Sequence, residues 1–184
     1  MRRTAMDKAI IKATGALLDE TMKQIKVIMG SCALVFHRYE HWGEVRIRRT
    51  MKAIMEVFSE CGNNPDITMM KMLEDETGIE MQNGSGVSYH SLDFLNCKDL
   101  RRRPSDLYQD ELLYMRKRQM AWVAPQCMAG ALIALHRREH YGYDRLSRLM
   151  QRVDQIRTEY NYDVKVITEL CKAETGFDLD AEVK

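Results

Sequence analysis

A ten-residue stretch of this sequence occurs twice. His37-Arg38-Tyr39-Glu40-His41-Trp42-Gly43-Glu44-Val45-Arg46 returns 99 residues later as His136-Arg137-Arg138-Glu139-His140-Tyr141-Gly142-Tyr143-Asp144-Arg145, with six of the ten identical. Arg49 with Arg148 and Met51 with Met150 extend the match at the same offset. Glu76-Thr77-Gly78-Ile79 then pairs with Glu174-Thr175-Gly176-Phe177 at an offset of 98, which puts a one-residue deletion in an intervening loop. An internal repeat makes the fold two uses of one supersecondary unit, so the unit is the object to read.

Each copy reads as helices. Residues 7–27 and 106–123 have helical composition, with acidic residues in the first turn where the macrodipole favours them. A second helix is expected over about 32–41 and 126–140, with Pro125 at the N-terminal edge of the latter. Gly43 and Gly142 then stop it, as a left-handed residue after a helix would. A third helix carries an apolar stripe, Ile47, Met51, Ile54, Met55 and Phe58 in one copy and Leu146, Met150, Val153 and Ile156 in the other, at helical spacing. Asp66 and Asp163 are candidate N-caps of a fourth short helix that ends at Gly78 or Gly176. The expected fold is all-α: two tandem copies of a four-helix unit, packed as a pseudo-symmetric bundle. The first copy spans 1–80, a linker 81–104 and the second copy 105–184. The linker opens on Gln82-Asn83-Gly84-Ser85-Gly86, a turn-rich run, and carries Tyr89, Leu92, Phe94 and Leu95 as apolar anchors.

Composition removes several classes. The 184 residues are 45% hydrophobic and 30% charged with a net charge of +1, which excludes a disordered chain, an acidic DNA mimic and a wholly basic nucleic-acid coat. Ten Gly and three Pro are too few for a barrel or sandwich rich in tight turns. Five widely spaced cysteines without a C-x-x-C motif read as reduced thiols, and the expected location is the cytoplasm. The apolar run 127–135 is too short to span a bilayer.

The sharpest chemical signal is the repeated H-x-x-E-H. On a helix, His37 and His41 share a face, as do His136 and His140, and two imidazoles at that spacing can hold one metal ion with the Glu as general base. Neither copy has an evident third ligand nearby, and basic residues also suit a helix C-terminus, so no metal is assigned and these histidines stay candidates only. The second signal is basic. Arg46 and Arg49 lie on the side of the third helix away from the stripe, and Arg145 and Arg148 repeat them, with Lys52 and Arg152 nearby. Arg101, Arg102 and Arg103 add a run in the linker. Paired guanidinium groups suit phosphates, and an Arg-bearing helix after a tight turn is similar to a helix-turn-helix reader. Trp42 and Tyr141 hold equivalent places beside the glycine and are expected to anchor the turn on the core. The sequence has no phosphate-cradling loop and no nucleophile elbow, so no cofactor and no catalysis are expected.

Around Leu135-His136-Arg137-Arg138-Glu139-His140-Tyr141-Gly142-Tyr143-Asp144-Arg145-Leu146 the sequence resembles a helical module of small proteins from phages and mobile elements of gut Firmicutes. The likeness covers about 132–178 best. That module often has an aromatic where His140 and His41 stand, which weakens a shared metal role for them. The resemblance, with the size and two-copy build, implies an anti-CRISPR inhibitor of a type II effector nuclease that binds the effector, its guide RNA or its DNA. The alternatives are a phage regulatory protein that binds duplex DNA through the repeated Arg helices, and a metal-dependent enzyme using H-x-x-E-H. A second copy of the chain is a further candidate partner.

Overall fold

The computed structural model describes residues 5–61, 65–82 and 109–182, and the described chain is all-α. The first half contains α1 (Ala5–Glu40), α2 (Glu44–Glu60) and α3 (Pro65–Thr77). The second half contains α4 (Gln109–Glu139), α5 (Tyr143–Glu159) and α6 (Val164–Thr175), followed by the short α7 (Leu179–Glu182). The linker run Arg101-Arg102-Arg103, its apolar anchors and Cys97 lie outside the described residues.

Each half therefore has one long helix where two were expected. The break placed between Val27 and Cys32 does not form because that segment is wrapped by other helices on its apolar side. Gly30 costs helix propensity, yet it lets α6 and α7 approach: a Cβ there would lie 2.7 Å from Ile167 Cγ2 and 2.9 Å from Leu179 Cδ1. Pro125 sits inside α4 rather than at a start, giving up one backbone hydrogen bond to a helix that tertiary packing holds continuous. Gly130 plays the part of Gly30 against the first half, where an added Cβ would lie 2.9 Å from Phe58 Cε2.

The halves interlock. α1 packs on α5 and α6, α4 packs on α2 and α3, and the two long helices cross each other. These contacts exchange when the halves are exchanged. One continuous core results, with Leu34, Phe36, Ile47 and Ile54 from the first half and Leu132, Leu146, Val153 and Ile167 from the second. On α2 the buried stripe is Ile47, Thr50, Met51, Ala53, Ile54 and Val57. Met55, expected in the core, is instead 58% exposed, because the stripe centres on Ile54 and Val57 and the next position turns outward. Among the described residues no helix is long and apolar enough to cross a membrane.

The helix ends also differ from expectation in a specific way. Gly43 and Gly142 are not left-handed. They are extended N-caps of α2 and α5, with φ −83° and −80°. The left-handed residues are His41 and His140, at φ 56° and 55°. The chain thus reverses on a histidine in a conformation that suits glycine. Replacing His41 or His140 with Gly should raise stability by about 1 kcal/mol each, or roughly 2–4 °C in Tm, by relieving that strain. Thermal denaturation checks this, and an unchanged or lower Tm would show the imidazole to be holding the corner. Asp163 caps α6 as expected, accepting from the backbone N–H of Lys165 and Val166, whereas α3 starts at Pro65 and so takes Asp66 inside its first turn.

Candidate functional site

The two repeated corners, 37–43 and 136–142, meet through Trp42 and Tyr141. Trp42 and Tyr141 are 3% and 2% exposed, with ring centroids 6.4 Å apart in an edge-on arrangement, and Trp42 also lies 4.8 Å from Phe36. Each corner closes with the same bonds. The Trp42 N–H donates to the Phe36 carbonyl at 3.0 Å, and the Tyr141 N–H to the Leu135 carbonyl at 3.4 Å. His37 Nδ1 donates to the Trp42 carbonyl at 3.1 Å and His136 Nδ1 to the Tyr141 carbonyl at 2.9 Å. A carbonyl only accepts, so each Nδ1 carries a proton.

This geometry changes the spacing of the candidate histidine pairs. His41 and His140 have left their helices, so they no longer share a helical face with His37 and His136, and the Nδ1 of each of the latter is committed to a backbone carbonyl. Among the described residues no group of three His, Cys, Asp or Glu stands close enough to hold an ion.

The glutamates of the motif tie the halves together. Glu40 accepts from the Tyr141 hydroxyl at 2.8 Å and pairs with Arg145, with Arg152 at 3.6 Å. Glu139 pairs reciprocally with Arg46. The two arginines also cover the corner aromatics, Arg46 at 4.2 Å from the Trp42 centroid and Arg145 at 3.7 Å from that of Tyr141. Burial acts to raise the Glu40 pKa, but hydrogen bonds from Arg145 and Tyr141 with the charges of Arg145 and Arg152 leave it below the usual value. Burial, then the hydrogen bond to Glu40, pushes the Tyr141 hydroxyl pKa up.

A second pair of ties is not evident from the sequence motifs. Arg38 grips Glu174 through both oxygens, at 2.8 and 2.6 Å, and reaches the Tyr160 hydroxyl at 3.2 Å. Arg137 grips Glu76 in the same way, at 3.0 and 2.7 Å, and adds Glu60 at 2.6 Å. The available signal was the repeat itself: both the Arg and the Glu recur, at offsets of 99 and 98. Fork-to-fork pairing fixes orientation as well as distance, so each long helix is clamped at its last turn to the other half.

The basic residues expected to bind a partner therefore divide. Arg46 and Arg145 are consumed internally, and Arg152 is shared between Glu40 and the ring of Tyr39, 4.4 Å away. Arg49, Lys52 and Arg148 are exposed and have no partner among the described residues. Away from the corners, a groove of about 960 Å³ between α1, α4 and α5 is lined by Lys23, Gln24, Met128, Met150 and Tyr162, with Arg157 stacked 5.0 Å from the Tyr162 ring. The groove mixes acids, bases and apolar side chains without a convergent reactive pair. The described cysteines are poor nucleophiles: burial pushes the Cys32 and Cys127 thiols up to about 12 and Cys171 to about 11. No family model matches this chain, and neither the curated proteins nor the solved structures give a match.

Proposed function

We propose that this is a non-enzymatic binding protein that engages its partner through the outward faces of α2 and α5. One observation carries the reading. Among the residues repeated between His37 and Met51, Arg49 with Arg148 is the pair that the fold does not use. His37 and Arg38 make corner and clamp bonds, Glu40 and Arg46 tie the halves, and His41 turns the chain. Gly43 starts α2, and Met51 is core. Their twins do the same, with Met150 packed against the core from its edge. An arginine kept in both copies and left without an internal partner is available to an external one. We read the halves as copies of one three-helix unit, with α7 an addition to the second.

The partner that the resemblance implies is a type II CRISPR effector nuclease, gripped directly or through its guide RNA or DNA, with inhibition by occupancy. A near-neutral chain suits a mixed-charge contact rather than DNA mimicry. The second reading is a phage regulator on duplex DNA, favoured by the placement of Arg49 and Arg148 on either side of an approximate two-fold axis, since the strands of a duplex are related in that way. Co-elution with a guide-loaded effector, against duplex DNA at low salt, separates them. Replacing Arg49 and Arg148 together by Ala should weaken binding at least tenfold and leave stability within about 0.5 kcal/mol, as for exposed residues outside special sites. Full binding by that variant removes the site.

A further inference from the structure

α2 and α5 bury equivalent stripes against opposite long helices, so each is a control for the other's outward face. What the fold requires is the same for both, and a difference on the water side is not dictated by packing. Three differences favour α2 as an apolar and cationic face, while Glu44 against Tyr143 and Glu56 against Gln155 run the other way. α2 presents Val45, Lys52 and Met55 where α5 presents Asp144, Gln151 and Asp154. Val45 is 73% exposed and Met55 58%. The acids along α2 are already engaged, Glu44 with Arg48 and Glu56 with Arg138, while Arg49 and Lys52 are free of partners among the described residues. Its outward face is thus two uncommitted cations flanked by two exposed apolar side chains. On α5, Arg148 stands one turn from Asp144 and one turn from Gln151, with Asp154 beyond, and the exposed apolar residue is Tyr143 at the first position.

We infer that the outward face of α2 carries most of the contact, with α5 at its margin, and that it takes a protein surface carrying carboxylates around an apolar centre. This rests on the reading of the chain as a binding protein and weights its contact toward one side. Val45 and Met55 gain nothing from a phosphate backbone, whose recognition is counterion release. Against a protein they supply the apolar centre, with methionine adapting its shape, while Arg49 and Lys52 steer and orient an acidic rim.

The test gives α2 the outward residues of α5: Val45→Asp, Lys52→Gln and Met55→Asp together, with Lys52→Glu alone as a milder variant. Each is titrated, beside Arg49→Ala and Arg148→Ala, against a guide-loaded type II effector nuclease, the guide RNA alone and a 20-base-pair duplex at physiological salt. The triple variant should lose at least tenfold in affinity for the effector, and Lys52→Glu and Arg49→Ala at least threefold. Arg148→Ala should lose less than twofold, and the naked nucleic acids should not bind. The inference is overturned by a triple variant or Lys52→Glu that binds like wild type, by equal losses from Arg49→Ala and Arg148→Ala, or by guide RNA or duplex binding as tightly as the effector. Wild-type protein that binds none of the three overturns the binding-protein reading itself, and this inference with it.

Discussion

Replacing Trp42 by Ala is expected to cost about 3–5 kcal/mol, the range for deleting a large buried aromatic. The side chain is 3% exposed and touches both halves: Phe36 on its own corner, Tyr141 on the other corner and Arg46 above its face. The bond from His37 to its backbone carbonyl survives the substitution, so the loss reports packing rather than the turn. Total stability of a domain is typically about 5–15 kcal/mol, so the variant should unfold at a much lower urea midpoint. Because the halves share one core, wild type and variant should each show one transition. Trp42→Tyr, which copies the residue of the other corner, should cost no more than about 2 kcal/mol. A separate early transition for one half, or a midpoint unmoved by Trp42→Ala, would contradict the interlocked core.

Glu40→Ala comes next, at about 2–3 kcal/mol. Its side chain is 10% exposed and serves three donors, and its removal leaves the buried Tyr141 hydroxyl unsatisfied and two arginines without their carboxylate. The equivalent Glu139→Ala should cost less, near 1 kcal/mol, since Glu139 is more exposed and pairs with Arg46 without a tyrosine hydroxyl to leave unsatisfied. Acid should mimic the change. Because the folded-state pKa of Glu40 is depressed, the unfolded chain binds the proton more readily. Its contribution is therefore complete above the ordinary carboxylate value of about 4.3 and is lost as pH falls through the folded-state value. Glu174, held down mainly by its hydrogen bond from Arg38, adds in the same direction. Urea denaturation at pH 7 and pH 3 should show a stability drop that Glu40→Gln reduces; an equal drop in both proteins would locate the acid sensitivity elsewhere.

The helical class and the repeat were legible because both are local or periodic signals. Ile47, Met51 and Ile54 announced the face of α2. Helix continuity through Gly30 and Pro125 was not legible, since propensity argues for a break at each and only the helices packed around them override it. Nor was the handedness of the corner. Glycine is the usual left-handed residue, and nothing local assigns that backbone to His41 while Gly43 begins the next helix.

The site followed the same division. Sequence marked Arg46, Arg49, Arg145 and Arg148 as one set, because duplication copies residues whatever they do. Which of them are spent inside the molecule depends on partners 93 and 105 residues away, Glu139 for Arg46 and Glu40 for Arg145. By itself the sequence determined an all-helical chain that carries one residue pattern twice, because side-chain period and repetition are written along the backbone. Only the tertiary structure decided that each half closes on the other, and that closure takes up Arg46 and Arg145 while leaving Arg49 and Arg148 facing outward.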